Sequence, residues 1–98
     1  MVRYIISPLA ERDITGIWDY IAADNEHAAR RLTAEFYAAF VHLAEMPGLG
    51  HKRADLTKRD LLFWTVQRKY LVAYRELEDA VEIVRVLDGR RDVASILG

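Results

Sequence analysis

The sequence predicts a two-layer α+β domain with the element order β-α-α-β-β-β, spanning residues 1–98. Three short runs near the end, residues 61–66, 70–75 and 81–87, are rich in branched and aromatic side chains and are separated by short polar breaks. This composition is typical of strands, and the breaks are short enough to join antiparallel neighbours. Upstream, apolar residues recur at three- and four-residue spacing over two segments, which indicates amphipathic helices. A chain of 98 residues with 52% hydrophobic content is expected to form one domain.

The first predicted elements are a strand and a helix. The apolar run 2–6 has strand composition, and Ser7-Pro8 ends it. Serine can cap a helix with its hydroxyl, and proline suits the first turn because its missing N–H costs nothing there. We therefore expect a helix that begins at Pro8 and ends near Asp24.

A second helix follows after a few residues, so the two helices should form an antiparallel hairpin. Asn25 is its candidate cap, and Pro47-Gly48 stops it. The apolar stripe of this helix carries an aromatic cluster, formed by Phe36, Tyr37 and Phe40. Core packing is the favoured interpretation of this cluster, and a partner-binding stripe is the alternative.

The three later strands predict an antiparallel meander on which the hairpin packs. Strict alternation divides the last strand into Val81, Ile83, Arg85 and Leu87 on one face and Glu82, Val84 and Val86 on the other. Both faces are partly apolar, so one should meet the helices and the other needs a cover. The cover is either another chain or the tail, residues 88–98, which could add a short helical turn.

Several classes of chemistry have no support in the sequence. There is no cysteine, and the three histidines, His27, His42 and His51, lack metal-ligand spacing. No phosphate-binding glycine loop or nucleophile elbow is present. We therefore expect no catalytic residue, metal site or cofactor. No apolar run approaches ~18 residues and no signal-peptide core is evident, so a cytoplasmic protein is expected.

Cationic side chains are the remaining candidates, although the net charge is only −1. A basic stretch is interpreted as a solvated loop, with polyanion binding as the alternative: Lys52, Arg53, Lys58, Arg59, Arg68 and Lys69. Arg85 is unusual because it stands in an apolar strand. It is either a snorkelling side chain or a salt-bridge partner of Glu76 or Glu82, or it is presented on a concave sheet face to an anionic partner.

Four blocks of sequence carry a family resemblance over nearly the whole chain. They are YIISPLAERDITGIWDYIA at 4–22, AEMPGLGHKRADL at 44–56, YLVAYRE at 70–76 and VEIVRVLDGRRDV at 81–93. In this order and at these spacings they resemble the small bacterial toxins of the ParE/RelE superfamily, and more specifically its ParE-like branch. The resemblance implies a toxin of a type II toxin–antitoxin system, bound in a hetero-oligomer by a ParD-like antitoxin whose disordered segment folds onto it.

The resemblance also implies two modes of action. RelE-like members cut messenger RNA in the ribosome with basic residues and a tyrosine or histidine near the C-terminus, whereas ParE-like members are associated with inhibition of DNA gyrase. No tyrosine or histidine follows Leu87, and Asp88 stands where many relatives have a histidine. A non-enzymatic toxin that binds gyrase is therefore the leading hypothesis, with direct nucleic-acid binding not expected. A ribosome-dependent endoribonuclease and an inactive antitoxin-binding homologue are the alternatives.

Site residues follow from these hypotheses. The residues expected to bind the target are Arg59, Arg85, Arg90 and Arg91. Arg59 is included because Leu62 stands before Phe63-Trp64, where many relatives have an arginine. The residues expected to bind the antitoxin are Ile17, Tyr20, Phe36, Phe40, Tyr74 and Arg75.

Overall fold

A computed structural model describes residues 3–98, so Val2 of the first predicted strand lies outside the described residues. In chain order the elements are β1 (Tyr4–Ile6), α1 (Pro8–Ala22), α2 (Glu26–Glu45), a 3-10 turn (Pro47–Leu49), β2 (Leu62–Val66), β3 (Tyr70–Glu76), β4 (Val81–Asp88) and α3 (Val93–Leu97). The predicted α+β class and element order are confirmed.

The sheet has the strand order β1-β4-β3-β2. Strands β2, β3 and β4 form the predicted antiparallel meander. β1 adds to the open side of β4 and runs parallel to it, with Tyr4 opposite Val81. A parallel neighbour requires a long connection, and the helical hairpin begins that connection. The hairpin covers one face of the sheet. The edge strands of the sheet are β1 and β2.

Both predicted helix caps are present. The hydroxyl oxygen of Ser7 accepts a hydrogen bond from the Ala10 N–H at 3.1 Å and donates to the Val84 carbonyl at 2.8 Å. Asn25 Oδ1 accepts from the Ala28 N–H at 3.0 Å. The cap of α1 therefore also ties the start of that helix to β4.

The main core lies between the hairpin and the sheet. Phe36, Phe40 and Tyr74 are fully buried at its centre. Phe40 lies 5.6 Å from Tyr4 between ring centroids, and Phe36 meets Tyr70 edge-on at 5.4 Å. The core interpretation of Phe36 and Phe40 is confirmed. All three side chains are enclosed by the chain itself, and their predicted contact with an antitoxin stays a prediction.

A β-bulge at Val84 changes the faces predicted for β4. Tyr74 pairs with Ile83 and Ala73 pairs with Arg85, so Val84 is the extra residue between them. The alternation shifts after it. Val86 joins Val81 and Ile83 in the core beneath the helices, whereas Leu87 packs with Val84 on the outer face. The faces predicted for Val86 and Leu87 are therefore wrong.

The outer face is covered by the chain's own tail. Val93 and Leu97 of α3 pack against Val84 and Leu87. The Thr57 hydroxyl donates to the Gly98 carbonyl at 3.3 Å, which fastens the tail to the long loop before β2. Of the two predicted covers, the structure has the tail.

Candidate functional site

A cleft of about 400 Å³ lies where α1 passes the end of β4 and the turn between β2 and β3. Apolar side chains form its floor: Ile17, Ile21, Tyr70 and Val86. Four cationic residues line it from three separate segments: Arg12, Lys69, Arg90 and Arg91. We call this site the cationic cleft.

One wall of the cationic cleft is fixed by an ion pair between α1 and β4. Asp13 Oδ2 accepts from Arg85 Nε at 2.8 Å, and Asp13 Oδ1 accepts from Arg85 Nη2 at 2.9 Å. Asp13 Oδ2 also accepts from the Val86 backbone N–H at 2.9 Å. The Arg85 and Asp13 side chains are only 17% and 10% exposed, and the hydrogen bonds that Arg85 donates to Asp13 raise the pKa of Arg85.

This ion pair corrects the sequence-based account of Arg85. The predicted partners were Glu76 and Glu82, yet Glu82 pairs with Arg75 at 2.6 Å and Arg85 turns instead to α1. Both oxygens of Asp13 occupy the guanidinium of Arg85. The guanidinium is therefore engaged within the fold, and the predicted contact of Arg85 with an anionic target stays a prediction.

Arg90 makes a second bidentate contact with a carboxylate at the cationic cleft. Its Nη2 donates to Asp88 Oδ2 at 2.9 Å, and its backbone N–H donates to Asp88 Oδ1, also at 2.9 Å. These hydrogen bonds lower the pKa of Asp88 to about 2. The Arg90 side chain remains 77% exposed, so its guanidinium can still meet a partner.

The other cations of the cleft are more open. Within residues 3–98, the side chains of Arg12, Lys69 and Arg91 have no carboxylate at ion-pair distance. The Lys69 ammonium lies 5.2 Å from the centre of the Tyr70 ring, which suits a cation–π contact. Tyr20 stands at the rim with 84% of its surface exposed. The cleft thus combines an apolar floor with excess positive charge.

The predicted site residues divide between this cleft and the rest of the chain. Ile17 and Tyr20, predicted for the antitoxin, line the same cleft as Arg90 and Arg91, predicted for the target. Arg59 lies elsewhere, in the long loop, where its Nη1 donates to the Leu97 carbonyl at 3.3 Å. Arg75 is exposed on β3 and is held by Glu82.

Sequence reasoning missed Arg12 and Lys69 as site residues. Arg12 was one of many charges on an amphipathic helix, and Lys69 was assigned to a solvated loop. The one available signal was Asp13. A carboxylate on the mostly apolar stripe of α1 needs a cation on the element against which that stripe packs.

A second surface lies on the exposed side of α2. Four apolar residues at helical spacing are exposed there: Ala34, Tyr37, Ala38 and Val41. The Tyr37 ring lies 5.5 Å from the buried Phe40, which in turn contacts Tyr4 of β1. Since β1 is an edge strand, its outer side has no strand neighbour among residues 3–98. We call these four side chains and the β1 edge the α2–β1 surface.

Among residues 3–98 no three histidine or acidic side chains form a group that could hold a metal ion. None of the helices there is both long enough and apolar enough to cross a membrane.

A helical hairpin packs on an antiparallel meander, and cations gather where the first helix meets the last strand. These features define a small two-layer α+β domain with a cationic cleft. Residues 4–93 match the model of a family described as the ParE toxin of the type II toxin–antitoxin system parDE. The chain therefore belongs to the ParE toxin family, as its sequence blocks indicate.

A solved structure has the same fold. It is described as the chromosomal ParDE toxin–antitoxin system from P. aeruginosa, and it matches with a TM-score of 0.72 over 90% of this chain and 96% of the other. The two sequences are only 16% identical, so this likeness concerns the fold alone. A comparison with curated protein sequences gave no significant match.

Proposed function

We propose that this ParE-type toxin inhibits growth by binding a macromolecular target, DNA gyrase, through the cationic cleft, and that a ParD-like antitoxin neutralises it in the cytoplasm. The observation that carries the proposal is the group of four cations at the cleft, of which Arg12, Lys69 and Arg91 have no carboxylate of residues 3–98 at ion-pair distance. Guanidinium groups bind carboxylates and phosphates in fixed geometry, so an unpartnered group of this kind suits an anionic surface.

Binding is a better account of the cleft than catalysis. Cleavage of RNA through its 2′-hydroxyl needs a base, an acid and cations for the phosphate. Asp88 is the carboxylate closest to Arg90, and with a pKa of about 2 it is ionised and only weakly basic at neutral pH. It can therefore serve neither as the acid nor as an effective base.

A ribosome-dependent endoribonuclease remains the second candidate, for a specific reason. Tyr20 and Tyr70 line the cationic cleft together with Arg90 and Arg91. The fold therefore places tyrosines near these arginines, although no tyrosine follows Leu87 in the sequence. A tyrosine hydroxyl is a candidate proton carrier beside a bound phosphate. The third candidate is an inactive homologue whose only partner is the antitoxin.

The α2–β1 surface is the proposed antitoxin site. Tyr37 and Val41 are 38% and 46% exposed, and the outer side of β1 is open to a further strand. A disordered segment that folds on binding can cover an apolar helix face and a sheet edge together. Placing the antitoxin here leaves the cationic cleft for the target, although Ile17 and Tyr20 lie within reach of a longer segment.

Controlled expression in bacteria tests the proposal. Induction without the antitoxin should arrest growth with signs of DNA damage, and co-expression of the ParD-like partner should restore it. New 5′ ends on cellular messages would favour the endoribonuclease instead. Arg90→Ala should relieve the arrest under either active mode. Healthy growth of cells making the parent chain would leave only the inactive homologue.

A further inference from the structure

Gly16 stands in the middle of α1, at the border of the cationic cleft. Glycine is among the least favourable residues in a helix interior, because it loses the most backbone freedom on folding. A Cβ placed on Gly16 would meet no atom within 4 Å. Gly50 is different, since a Cβ there would lie 2.5 Å from the Tyr74 hydroxyl oxygen. Packing within the chain therefore explains Gly50 and gives no reason for Gly16.

The missing side chain opens a gap in the cleft. Arg12 and Tyr20 lie one turn before and one turn after Gly16 on the same side of α1, and both are exposed. Between them the helix backbone is accessible, and Ile17 and Ile21 continue the apolar floor beside it. The gap has a cation, Arg12, on one side and an aromatic ring, Tyr20, on the other.

We propose that Gly16 is a close-approach position, where an extended acidic segment of the target protein crosses α1. An apolar side chain of that segment enters the gap, and its carboxylates meet Arg12, Arg91 and Lys69. This inference rests on the proposed function, in which the cationic cleft binds the target.

The composition of the cleft favours an acidic polypeptide over a nucleic acid. An aliphatic side chain matches the partly exposed Ile17 and Ile21 of the floor, which a phosphodiester backbone would leave without a partner. Bases need aromatic faces on which to stack, and of the two cleft tyrosines Tyr20 is exposed whereas Tyr70 is buried. A polypeptide uses the cations, the floor and the gap together.

Binding of labelled probes tests the partner class. The probes are a short peptide of alternating glutamate and leucine, its glutamine–leucine counterpart and an oligothymidylate of equal charge, each measured by fluorescence anisotropy. The full chain should bind the acidic peptide at least about tenfold more tightly than either other probe. Equal or tighter binding of the oligothymidylate, or no preference for the acidic peptide, would overturn the proposal.

Filling the gap tests the position. Gly16→Leu should weaken binding of the acidic peptide by about tenfold or more, because the new side chain occupies the gap. Thr15→Leu is the matched control: it adds the same side chain at the neighbouring exposed position, which does not line the cleft, and should change the affinity less than about twofold. Circular dichroism confirms that both variants are folded. Unchanged affinity in Gly16→Leu would refute the role of the gap.

Gly16→Ala separates stability from binding. Alanine should raise Tm by about 5 °C, since the site is exposed and free of clashes, while growth arrest weakens. A parent chain that causes no arrest would refute the proposed function. The binding measurements with the labelled probes test the present inference independently of growth arrest. Arrest that is as strong in Gly16→Leu as in the parent would refute this inference alone.

Discussion

Breaking the Asp13–Arg85 ion pair should destabilise the fold more than any exposed charge removal. Asp13→Ala deletes three hydrogen bonds of 2.8 to 2.9 Å and leaves a guanidinium that is 17% exposed without its carboxylate. Removing one partner of a buried pair costs about 3–5 kcal/mol. Arg85 retains some access to water, so we expect the lower end, about 3 kcal/mol. For a domain of this size that lowers Tm by about 12 °C or more.

A double-mutant cycle makes this test specific. Urea unfolding followed by tryptophan fluorescence gives the free energy of unfolding for Asp13→Ala, Arg85→Ala and the double variant. The double variant should cost about 2 kcal/mol less than the sum of the single changes, because neither charge is then left unpaired. Arg30→Ala is the control, since its pair with Glu26 at 2.9 Å is exposed and should contribute less than about 0.5 kcal/mol. A coupling energy between Asp13 and Arg85 below about 0.5 kcal/mol, the contribution expected of the exposed control pair, would refute the reasoning.

Three further predictions concern the loop anchor and the acid response. Tyr74→Phe should cost about 1–3 kcal/mol, measured by urea unfolding, because the hydroxyl donates to the Pro47 carbonyl and accepts from the Gly50 N–H, each at 2.7 Å. Gly50→Ala should cost about 1–3 kcal/mol in the same assay, because its Cβ would lie 2.5 Å from that hydroxyl and 2.9 Å from the Phe63 carbonyl oxygen. The pKa of Asp88 is lowered to about 2, so its stabilising effect is complete above its unfolded pKa and is lost as the pH falls towards 2. Asp88→Asn should therefore flatten the acid-induced loss of stability between about pH 4 and pH 2; an unchanged slope would contradict the assignment.

Local features of this fold could be predicted because each is decided within a few residues. Ser7 and Asn25 both cap helices through hydrogen bonds to residues three positions later. The strands β2 to β4 carry their own composition and turn signals. Their order along the chain then leaves few ways to arrange a meander beneath a hairpin.

The bulge and the cationic cleft could not be predicted in the same way, because both depend on contacts between distant residues. The extra residue at Val84 is defined by pairing with β3, and it alone changes the faces of Val86 and Leu87. Asp13 and Arg85 are 72 positions apart. No spacing rule connects such residues, although a carboxylate on an apolar helix stripe indicates that a partner exists.

Charge reversal at Arg91 tests the central claim most directly. Arg91 lines the cationic cleft, and no carboxylate of residues 3–98 lies at ion-pair distance from it, so Arg91→Glu changes the charge of the cleft without breaking an ion pair of the described chain. Lys58→Glu makes the same charge change on the exposed loop. In cells without antitoxin, Arg91→Glu should abolish growth arrest while Lys58→Glu retains it, and both purified variants should bind the antitoxin as the parent does. Full toxicity of Arg91→Glu would contradict the account.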